Sequence, residues 1–380
     1  MAKNDSLKYR APDDWFAYDA ASLIKPVSSA EAAIHALTSA PFRRVWLESS
    51  GSDQLHDEIT SSCRITAPDE GGAGNPTVEA AARTYAWISE MPAPPSLSLS
   101  LIRQVHSQLT ENKVDISSAL RAKGEQIFFG SPRQRGAKGG KECQESLEAL
   151  VAAWTRQGAH QPRVVKSLSL HYHILSIHPF HDANGRTARA LETIVRGAAG
   201  LKGAHFVSMA SYYLEERAAY EHALSASRRR GHDLTPFLEF TLHGLTARCD
   251  TLFAHVRNRL ATTVFEQTMV SLFDRLRAGK RQAMATRQVQ LLRSVLGSPG
   301  MSHQKLYEQL RVAYEPLKNP WKAFLRDMHD LIQIRAVEVT NGIDPSVYPC
   351  LTWPTIITEE LFFQHYRDAP RSGVALWTAV

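Results

Sequence analysis

The sequence predicts a mainly α-helical protein with one short β-hairpin and a small C-terminal module that combines helices and strands. Apolar residues recur three and four positions apart through most of the 380-residue chain, as they do from Leu97 to Leu109, and this spacing is typical of amphipathic helices. Two stretches read as strands: a glycine-bounded segment around Ile127 to Phe129, and the alternating stretch from Ile334 to Thr340. The second leads into Asn341-Gly342, a strong hairpin turn.

The composition is that of an ordinary globular protein. Hydrophobic residues make up 43% and charged residues 22% of the chain, which suits two or three units with cores of their own. The four cysteines are far apart and form no C-x-x-C pair, so neither a disulfide framework nor a zinc site is expected. The sequence has no apolar run long enough for a signal peptide or a membrane span. A cytoplasmic location without membrane partners is therefore expected.

The N-terminal part is expected to be helical with irregular breaks. Ala30 to Leu37 is one helix, and Arg43 to Cys63 is a pair of helices interrupted at Ser49-Ser50-Gly51. A loop dense in Gly and Pro follows from Ala67 to Pro76. The expected divisions are an N-terminal helical arm over 1–76, a catalytic core over 77–250, a connecting helix over 251–280, a small module over 281–345 and a C-terminal extension over 346–380.

The strongest functional signal lies in the twelve residues from His178 to Arg189, which read HPFHDANGRTAR. Pro179 disfavours the α conformation at His178, so the preceding helix is expected to end there. Asn184-Gly185 is a turn pair, after which Arg186 to Gly197 has helical spacing. The loop therefore leads into a helix N-terminus, where unpaired N–H groups and the helix dipole favour an anion.

Two arginines in this helix indicate the kind of anion. Arg186 and Arg189 lie three apart on one helix face, and both oppose the helix dipole unless a polyphosphate sits between them. Asp182 offers a hard oxygen ligand for Mg²⁺ held partly by substrate phosphates, and His178 can accept a proton near neutral pH. A helix–loop–helix with solvated arginines and a core histidine would explain fewer of these residues. The stretch predicts a catalytic phosphate site.

These residues resemble the signature of the Fic family, His-Pro-Phe-x-Asp/Glu-Gly/Ala-Asn-Gly/Lys-Arg-x-x-Arg. Every specified position is matched, with Ala183 as the less common of the two small residues. The resemblance implies a Fic-type helical core with a β-hairpin flap. It also implies a protein adenylyltransferase, which moves AMP from MgATP to a Ser, Thr or Tyr hydroxyl of a target protein and can modify itself.

The resemblance also assigns roles. His178 would deprotonate the target hydroxyl and Asp182 would hold Mg²⁺. Backbone N–H groups, with the Asn184 side chain, would stabilise the α-phosphate, while two arginines would clamp the β- and γ-phosphates. The residues expected to bind the nucleotide are Ala183, Asn184, Gly185, Arg186 and Arg189, and those expected to take part in catalysis are His178, Asn184, Arg186 and Arg189.

Two further features bear on the nucleotide. Tyr220 lies where Fic relatives place tyrosines near the adenine, so it is a candidate base contact, although a tyrosine at helical spacing is as readily a core residue. Some Fic relatives transfer UMP, a terminal phosphate or phosphocholine instead of AMP. Gly185, in place of the lysine of other motifs, favours nucleotidyl transfer by resemblance.

The segment from Arg121 to Pro132 resembles the flap that Fic proteins place over the active site. Its short apolar centre predicts a hairpin whose edge can take up a target segment by strand addition. Gln126, Ile127 and Phe128 are the expected docking residues. The competing interpretation is a plain hairpin packed by Ile127 and Phe129.

Many Fic proteins carry an inhibitory helix with the pattern Ser/Thr-x-x-x-Glu-Gly/Asn, whose glutamate binds the second motif arginine. Ser61 to Ala67 resembles the start of that element, but Thr66 stands where the glutamate is expected. A looser match from Thr66 to Gly71 supplies Glu70, yet Pro68 argues against a regular helix there. Arg189 is therefore expected to lack a glutamate partner and to be available for the γ-phosphate. Removal of AMP from a target, which in relatives depends on this glutamate, is a less favoured activity.

The last third changes character. Leu252 to Leu276 is one long amphipathic helix, and three short helices begin near Gln288, Ser302 and Pro320. With the hairpin they resemble a winged-helix module, which several Fic proteins append. The predicted recognition helix contributes only Lys322 and Arg326 to a basic face, so protein contact is favoured over DNA. A nucleotide-sensing DNA-binding regulator stays an alternative function, and a homo-oligomer is left open.

Other charged and titratable clusters carry less signal. Arg228-Arg229-Arg230 is the densest basic run, and a solvated loop is favoured over contact with an acidic partner or a nucleotide. His171 and His173 lie two apart on a helix and point to different faces, so a shared transition metal is not expected. The only cofactors expected are ATP and Mg²⁺.

Overall fold

The computed structural model describes residues 8–40, 44–66, 74–91, 95–110, 120–130, 133–277, 282–340, 345–351 and 359–368. The chain divides into two compact units, the first ending at Val256 and the second beginning at Arg257. Each unit has its own cluster of buried apolar side chains. The first cluster includes residues as early as Tyr9, so the predicted N-terminal arm packs into the same unit as the predicted catalytic core.

The first unit is built from helices, several of which begin where the sequence provides a cap. Asp19 and Ser98 accept hydrogen bonds from first-turn N–H groups, and Asn75 does so directly before Pro76. The helices are α1 (Ala20–Ser39), α2 (Arg44–Thr66), α3 (Pro76–Glu90), α4 (Leu99–Leu109), α5 (Lys141–Arg156), α6 (Arg163–Ile177), α7 (Asn184–Gly197), α8 (Met209–Glu215), α9 (Arg217–Arg229) and α10 (Thr235–Arg277).

Helices α6 and α7 form the centre of this unit. Every residue of α6 from Ser167 to Ile177 is buried, as expected of a helix covered on all sides. Helix α7 also buries most of its length, and its buried residues include Arg186, Arg189, Glu192 and Arg196. Charged side chains are rarely fully buried unless they are paired. The first turns of α7 are therefore a candidate functional site.

The predicted flap is present as an antiparallel hairpin of β1 (Phe128–Phe129) and β2 (Gln134–Arg135). Lys8 forms an isolated parallel bridge with Arg135, so the N-terminal arm pairs with the outer side of β2. The outer edge of β1 is therefore the one that can take up another strand.

Two helix predictions differ from the structure. The predicted pair from Arg43 to Cys63 is one 23-residue helix, α2, because the Ser49 to Gly51 segment continues in helical conformation. The helix predicted from Leu252 to Leu276 is part of a longer helix of 43 residues, α10. The Tyr212 ring packs directly on the backbone of α10 at Gly244. A Cβ at this position would come within 2.1 Å of the ring, so a larger residue would not fit there.

The second unit combines helices with a three-stranded sheet, as the C-terminal pattern predicted. Strand β4 pairs antiparallel with β5, with Val339 opposite Val347; the predicted turn at Asn341-Gly342 lies outside the described residues. The elements are α11 (Gln282–Gly297), β3 (Met301–Ser302), α12 (His303–Tyr314), α13 (Pro320–Gln333), β4 (Val337–Val339), β5 (Ser346–Pro349) and α14 (Glu359–Asp368), with the strand order β3-β5-β4.

This module extends past the boundary predicted at 345. Strand β5 begins at Ser346, and Phe362 and Tyr366 of α14 belong to the same buried cluster as α11 and α13. Its likeness to a winged helix stays a prediction. Among the helices described, none has a stretch long and apolar enough to cross a membrane.

Candidate active site

The loop between α6 and α7 is bracketed by two residues in the left-handed conformation. His178 ends α6 with φ 53° and ψ 61°, and Ala183 precedes α7 with φ 57° and ψ 13°. L-residues other than Asn and Asp adopt this conformation rarely. The two reversals turn the chain sharply at each end, so the loop returns from the end of α6 to the start of α7 within a few residues.

His178 is oriented as a general base. Its Nδ1 lies 3.2 Å from the Leu175 carbonyl oxygen, so Nδ1 carries the proton and donates, and Nε2 keeps its lone pair. Burial lowers the pKa of His178 to about 4, and Arg121 and Arg228 add to the shift. The imidazole is therefore neutral at neutral pH and able to accept a proton.

One face of the His178 ring is covered by the flap. The Phe129 ring stacks on it with 4.1 Å between centroids and 10° between planes. Gly136 of the flap lies so close that a Cβ there would come within 3.0 Å of the His178 Cβ. Because the Nε2 lone pair lies in the ring plane, stacking on the face orients the base without blocking its reactive edge.

The start of α7 has an open N-terminus. Its N-cap residue, Ala183, provides no side-chain hydrogen bond, and the helical pattern begins with Thr187 N donating to Ala183 O at 2.8 Å. The N–H groups of Asn184, Gly185 and Arg186 precede that bond and are left over by helix geometry. They lie where the sequence predicted an anion cradle.

The side chain of Asn184 has a different contact from the one expected. Its Oδ1 accepts from Phe180 N at 2.9 Å and its Nδ2 donates to Phe180 O at 2.8 Å. Both ends of the amide are thus used to brace the loop. The Asn184 side chain therefore shapes the loop, and only its backbone N–H is left for a ligand at the start of α7.

Asp182 and Arg186 form an ion pair at the mouth of the site, with 3.1 Å between Oδ2 and Nη2. The Asp182 side chain is 70% exposed and that of Arg186 only 7%. Among the described residues no cluster of three or more His, Cys, Asp or Glu could hold a metal by itself. A single accessible carboxylate suits Mg²⁺, which commonly takes one or two protein carboxylates and completes its shell with phosphates and water.

The sequence predicted that Arg189 is available for the γ-phosphate, but in the structure its guanidinium is buried and hydrogen-bonded. It is 1% exposed, and its Nε donates to the Ser62 hydroxyl at 2.8 Å while Nη2 donates to the Ser62 carbonyl at 2.7 Å. Ser62 lies near the C-terminal end of α2, the helix that the sequence compared with an inhibitory element. Thr66 is the last residue of α2, and Glu70 lies outside the described residues.

Tyr220 lies in the core of the first unit and is 4% exposed. Its hydroxyl meets His171 Nε2 at 2.8 Å, and His171 Nδ1 meets Glu192 Oε2 at 2.5 Å. Burial opposes the ionisation of Glu192, yet Arg196 and the hydrogen bond from His171 hold its pKa below the usual value. His171 therefore donates to the carboxylate and accepts from Tyr220, which favours a core role for this tyrosine over the predicted base contact.

The predicted docking residues lie at the flap as expected. Gln126 is exposed, Ile127 is partly buried and Phe128 is 46% exposed. The hairpin is braced from behind by Arg228, whose Nη1 donates to Gln134 Oε1 at 3.4 Å and whose Nη2 donates to the Arg135 carbonyl. Arg228 is 4% exposed, so the first arginine of the 228–230 run is not solvated.

In the second unit, Lys322 and Arg326 of α13 are both exposed. The neighbouring Asp327 is fully buried and binds Arg287 Nε at 2.9 Å. The basic face is therefore as thin as predicted, with two cations on this helix.

A sequence model of the Fic/DOC family matches residues 96–195, a span that begins just before α4 and contains the flap, α6, the loop and nearly all of α7. The chain thus carries a Fic/DOC domain, and the resemblance inferred from the loop is confirmed.

Similar solved structures include three Fic proteins. A Fic family protein from Desulfovibrio desulfuricans G20 is 19% identical, with 90% of this chain and 98% of that chain covered and a TM-score of 0.49. A segment of Fic-1 from C. elegans is 18% identical over 63% of this chain and 74% of that one, with a TM-score of 0.48. A Fic domain containing signaling protein from Bacteroides thetaiotaomicron VPI-5482 is 16% identical over 61% and 97%, with a TM-score of 0.46.

Sequence reasoning missed four residues that touch the loop, its base or its second arginine: Ser62, His106, Arg121 and Phe129. Each contact joins segments that are distant in the chain, such as the 127 positions between Ser62 and Arg189. Arg121 and Phe129 had a local signal, since both lie in the segment predicted as the flap, and Ser62 lies in the segment compared with an inhibitory element. His106 had none.

Proposed function

We propose that this protein is a Fic-type transferase that moves AMP from MgATP to a Ser, Thr or Tyr hydroxyl of a protein, including its own chain. The observation that carries the proposal is the pairing of a neutral, fixed histidine with an uncapped helix N-terminus across one short loop. A base and an anion cradle at this separation suit the attack of a hydroxyl on a bound phosphate.

The reaction follows from the contacts of the chain's own residues. Nε2 of His178 accepts the proton of the target hydroxyl, and the hydroxyl oxygen bonds to the α-phosphorus. The bond from that phosphorus to the oxygen that bridges it to the β-phosphate breaks, and pyrophosphate leaves. The N–H groups of Asn184, Gly185 and Arg186 meet the charge on the α-phosphate, which is the kind of stabilisation that accounts for most phosphoryl-group chemistry.

The two motif arginines are expected to serve the departing phosphates. Arg186 would exchange its exposed partner Asp182 for a phosphate, and Arg189 would exchange Ser62. Hydrogen bonds between an arginine and a phosphate are stronger than those to a neutral hydroxyl or carbonyl, so the exchange at Arg189 is favourable. Arg186 would exchange one anionic partner for another. Mg²⁺, held by Asp182 and the phosphates, would neutralise charge on the leaving pyrophosphate.

Gly185 supports nucleotidyl transfer over other Fic activities. A Cβ at this position would lie 3.2 Å from Arg189 Nη1, so a lysine here would press on the second arginine. The glycine leaves the cradle backbone and Arg189 in direct contact, which suits a triphosphate that spans both. Transfer of another nucleotide, of a terminal phosphate or of phosphocholine is the competing activity.

Two labelled forms of ATP separate these activities. The protein is incubated with candidate targets and with ATP labelled in the α- or the γ-phosphate. We expect covalent label from the α-phosphate only, and its loss in His178→Ala. His181→Ala is the matched control, because His181 lies in the same loop but contacts Glu125 of the flap region at 3.2 Å, and it should keep the activity. If the protein receives label only from the γ-phosphate, the activity is phosphate transfer and not AMP transfer.

The regulator alternative makes a different prediction. If the second unit binds DNA and the Fic domain only senses nucleotide, calorimetry should detect DNA binding while no label is transferred to protein. Transfer that depends on His178 counts against a sensor, because binding a nucleotide needs no general base.

A further inference from the structure

The loop between α6 and α7 stores backbone strain at both ends. His178 and Ala183 have positive φ values of 53° and 57°, a region that residues other than glycine adopt only at a cost in free energy. Such conformations persist only where the surroundings hold them. Groups outside the loop should therefore bind the peptide units next to these two residues.

Arg121 binds the end at His178. Its Nε donates to His178 O at 2.8 Å, and its backbone N–H donates to Pro179 O at 3.1 Å. The side chain is 2% exposed. Because Arg121 precedes the flap, this end of the loop is tied to the flap as well as to α6.

His106 of α4 binds the other end. Its Nε2 lies 3.1 Å from Asp182 O, and its ring stacks on Phe180 with 3.7 Å between centroids and 13° between planes. The residue is 2% exposed. A carbonyl oxygen can only accept a hydrogen bond, so the Nε2 that faces it carries a proton and His106 donates to Asp182 O.

The peptide that joins Asp182 to Ala183 connects this bond to the anion cradle. In a planar trans peptide the C=O and the N–H point in opposite directions. A donor that fixes the direction of Asp182 O therefore also fixes the direction of the Ala183 N–H. That N–H immediately precedes the open N–H groups of Asn184, Gly185 and Arg186.

We propose that His106 is a positioning residue for nucleotide transfer, which holds the Asp182–Ala183 peptide so that the Ala183 N–H joins the cradle for the α-phosphate. The inference rests on the proposed function. The same hydrogen bond fixes the position of the Asp182 backbone. It therefore also fixes the point from which the Asp182 side chain extends. His106 touches neither nucleotide nor target in this arrangement and acts through the loop.

A pair of substitutions separates positioning from packing. His106→Gln keeps an N–H donor near the place of Nε2, whereas His106→Leu keeps bulk and removes the donor. We expect His106→Leu to lower kcat by about 10-fold to 100-fold, the scale that a misplacement of about 1 Å can cost, with little change in the KM for MgATP. His106→Gln should recover most of the lost kcat.

His173 provides a matched control. Its Nε2 also meets a backbone carbonyl, Trp15 O at 2.7 Å, and it is also buried in the first unit. That bond holds the N-terminal arm and not the loop. His173→Leu and His173→Gln should therefore change the melting temperature without the kcat difference seen at position 106.

Hydrogen–deuterium exchange of the amides from 178 to 186 gives a readout that needs no turnover. Exchange should accelerate in His106→Leu and stay slow in His106→Gln and in both His173 variants. Equal kcat and equal exchange in the two His106 variants would overturn the inference. If His106→Leu does not fold, His106→Asn, which is too short to reach Asp182 O, takes its place. A wild-type protein that transfers no label would defeat the proposed function, while the exchange comparison would still decide the role of His106.

Discussion

Two buried arginines, one in each unit, have different kinds of partner. Arg287 of α11 is 8% exposed and donates through Nε to Oδ2 of the fully buried Asp327 at 2.9 Å. Arg189 of α7 is 1% exposed and donates to the hydroxyl and the carbonyl of Ser62. Among the described residues, no carboxylate lies within ion-pair distance of Arg189.

The difference separates stability from function. A buried charge is costly unless it is paired and hydrogen-bonded, and Arg287 has a full counter-charge within its own unit. Among the described residues Arg189 has hydrogen bonds to neutral groups and no bonded carboxylate, so under the proposed function a nucleotide phosphate would be its anionic partner. Substitutions around Arg287 should therefore change folding, and substitutions around Arg189 should change nucleotide transfer.

The largest effect is expected from Asp327→Ala. This change leaves Arg287 buried without a counter-ion, and breaking a buried pair in this way costs about 3 to 5 kcal/mol of stability. Urea denaturation followed by circular dichroism measures the loss in the second unit. Arg287→Met with Asp327→Leu removes both charges and should recover much of the stability. An unchanged unfolding midpoint in Asp327→Ala would show that the pair is not the anchor of this unit.

The next effect is expected from Arg189→Lys, measured as kcat for transfer. Lysine keeps the charge but not the two-pronged geometry that suits a phosphate, and loss of one transition-state donor costs about 100-fold to 1000-fold in kcat. The melting temperature should change far less than in Asp327→Ala. If Arg189→Lys unfolds the protein and the surviving fraction transfers normally, the assignment of the two arginines is reversed.

Acid should weaken the first unit through neutral histidines that it buries. Burial lowers the pKa of His173 to about 3 and that of His232 to about 4, with Arg228 adding to the shift at His232. Unfolded histidine binds a proton below about pH 6.5, and the folded groups do not until about pH 4. Stability is therefore full above about pH 6.5 and falls with pH below it, by about 1.4 kcal/mol per pH unit for each histidine.

Thermal melts across that pH range measure this loss. His173→Leu should show a shallower fall in melting temperature than the wild type, and His222→Leu, at an exposed position of α9, should match the wild type. Identical slopes in all three proteins would mean that His173 is already protonated in the folded state.

The smallest effect is expected from Ser62→Ala. It removes one of the two acceptors that hold Arg189, while the carbonyl at 2.7 Å remains. A hydrogen bond that involves a charged group contributes about 1.5 kcal/mol or more, so the KM for MgATP should fall by about tenfold, with kcat nearly unchanged. Ser61→Ala, on the same helix but without a bond to Arg189, is the control. A rise in KM would show that Ser62 positions Arg189 for the nucleotide instead of competing with it.

The sequence predicted the parts of this site that are local in the chain. The end of α6 at His178 follows from Pro179, and the helix after the loop follows from apolar spacing. The turn predicted at Asn184-Gly185 was wrong, because Ala183 makes the reversal and both residues already belong to α7. The family match over residues 96–195 agrees with that interpretation. The hairpin around Phe128 was also predicted, because glycines bound it on both sides.

The parts that were not predicted depend on contacts between distant segments. Ser62 meets Arg189 from 127 positions away, and His106 meets Asp182 from 76 positions away. The segment from Ser61 to Ala67 was compared with an inhibitory element, but Ser62 itself was not predicted as a partner, and His106 carries no local sign of its contact. The Asn184 amide was expected at a phosphate, but it binds Phe180 because a tight loop must satisfy its own backbone groups. Helix continuity through Gly51 was missed, since tertiary packing outweighs the weak helix propensity of glycine.

The most direct test of the account is intact-protein mass spectrometry after incubation with MgATP, for the wild type and for His178→Ala. The account predicts an added mass of one AMP on the target, or on the protein itself, in the wild type, and none in His178→Ala. An adduct of a different mass, or an AMP adduct that forms equally well without the His178 imidazole, would contradict it.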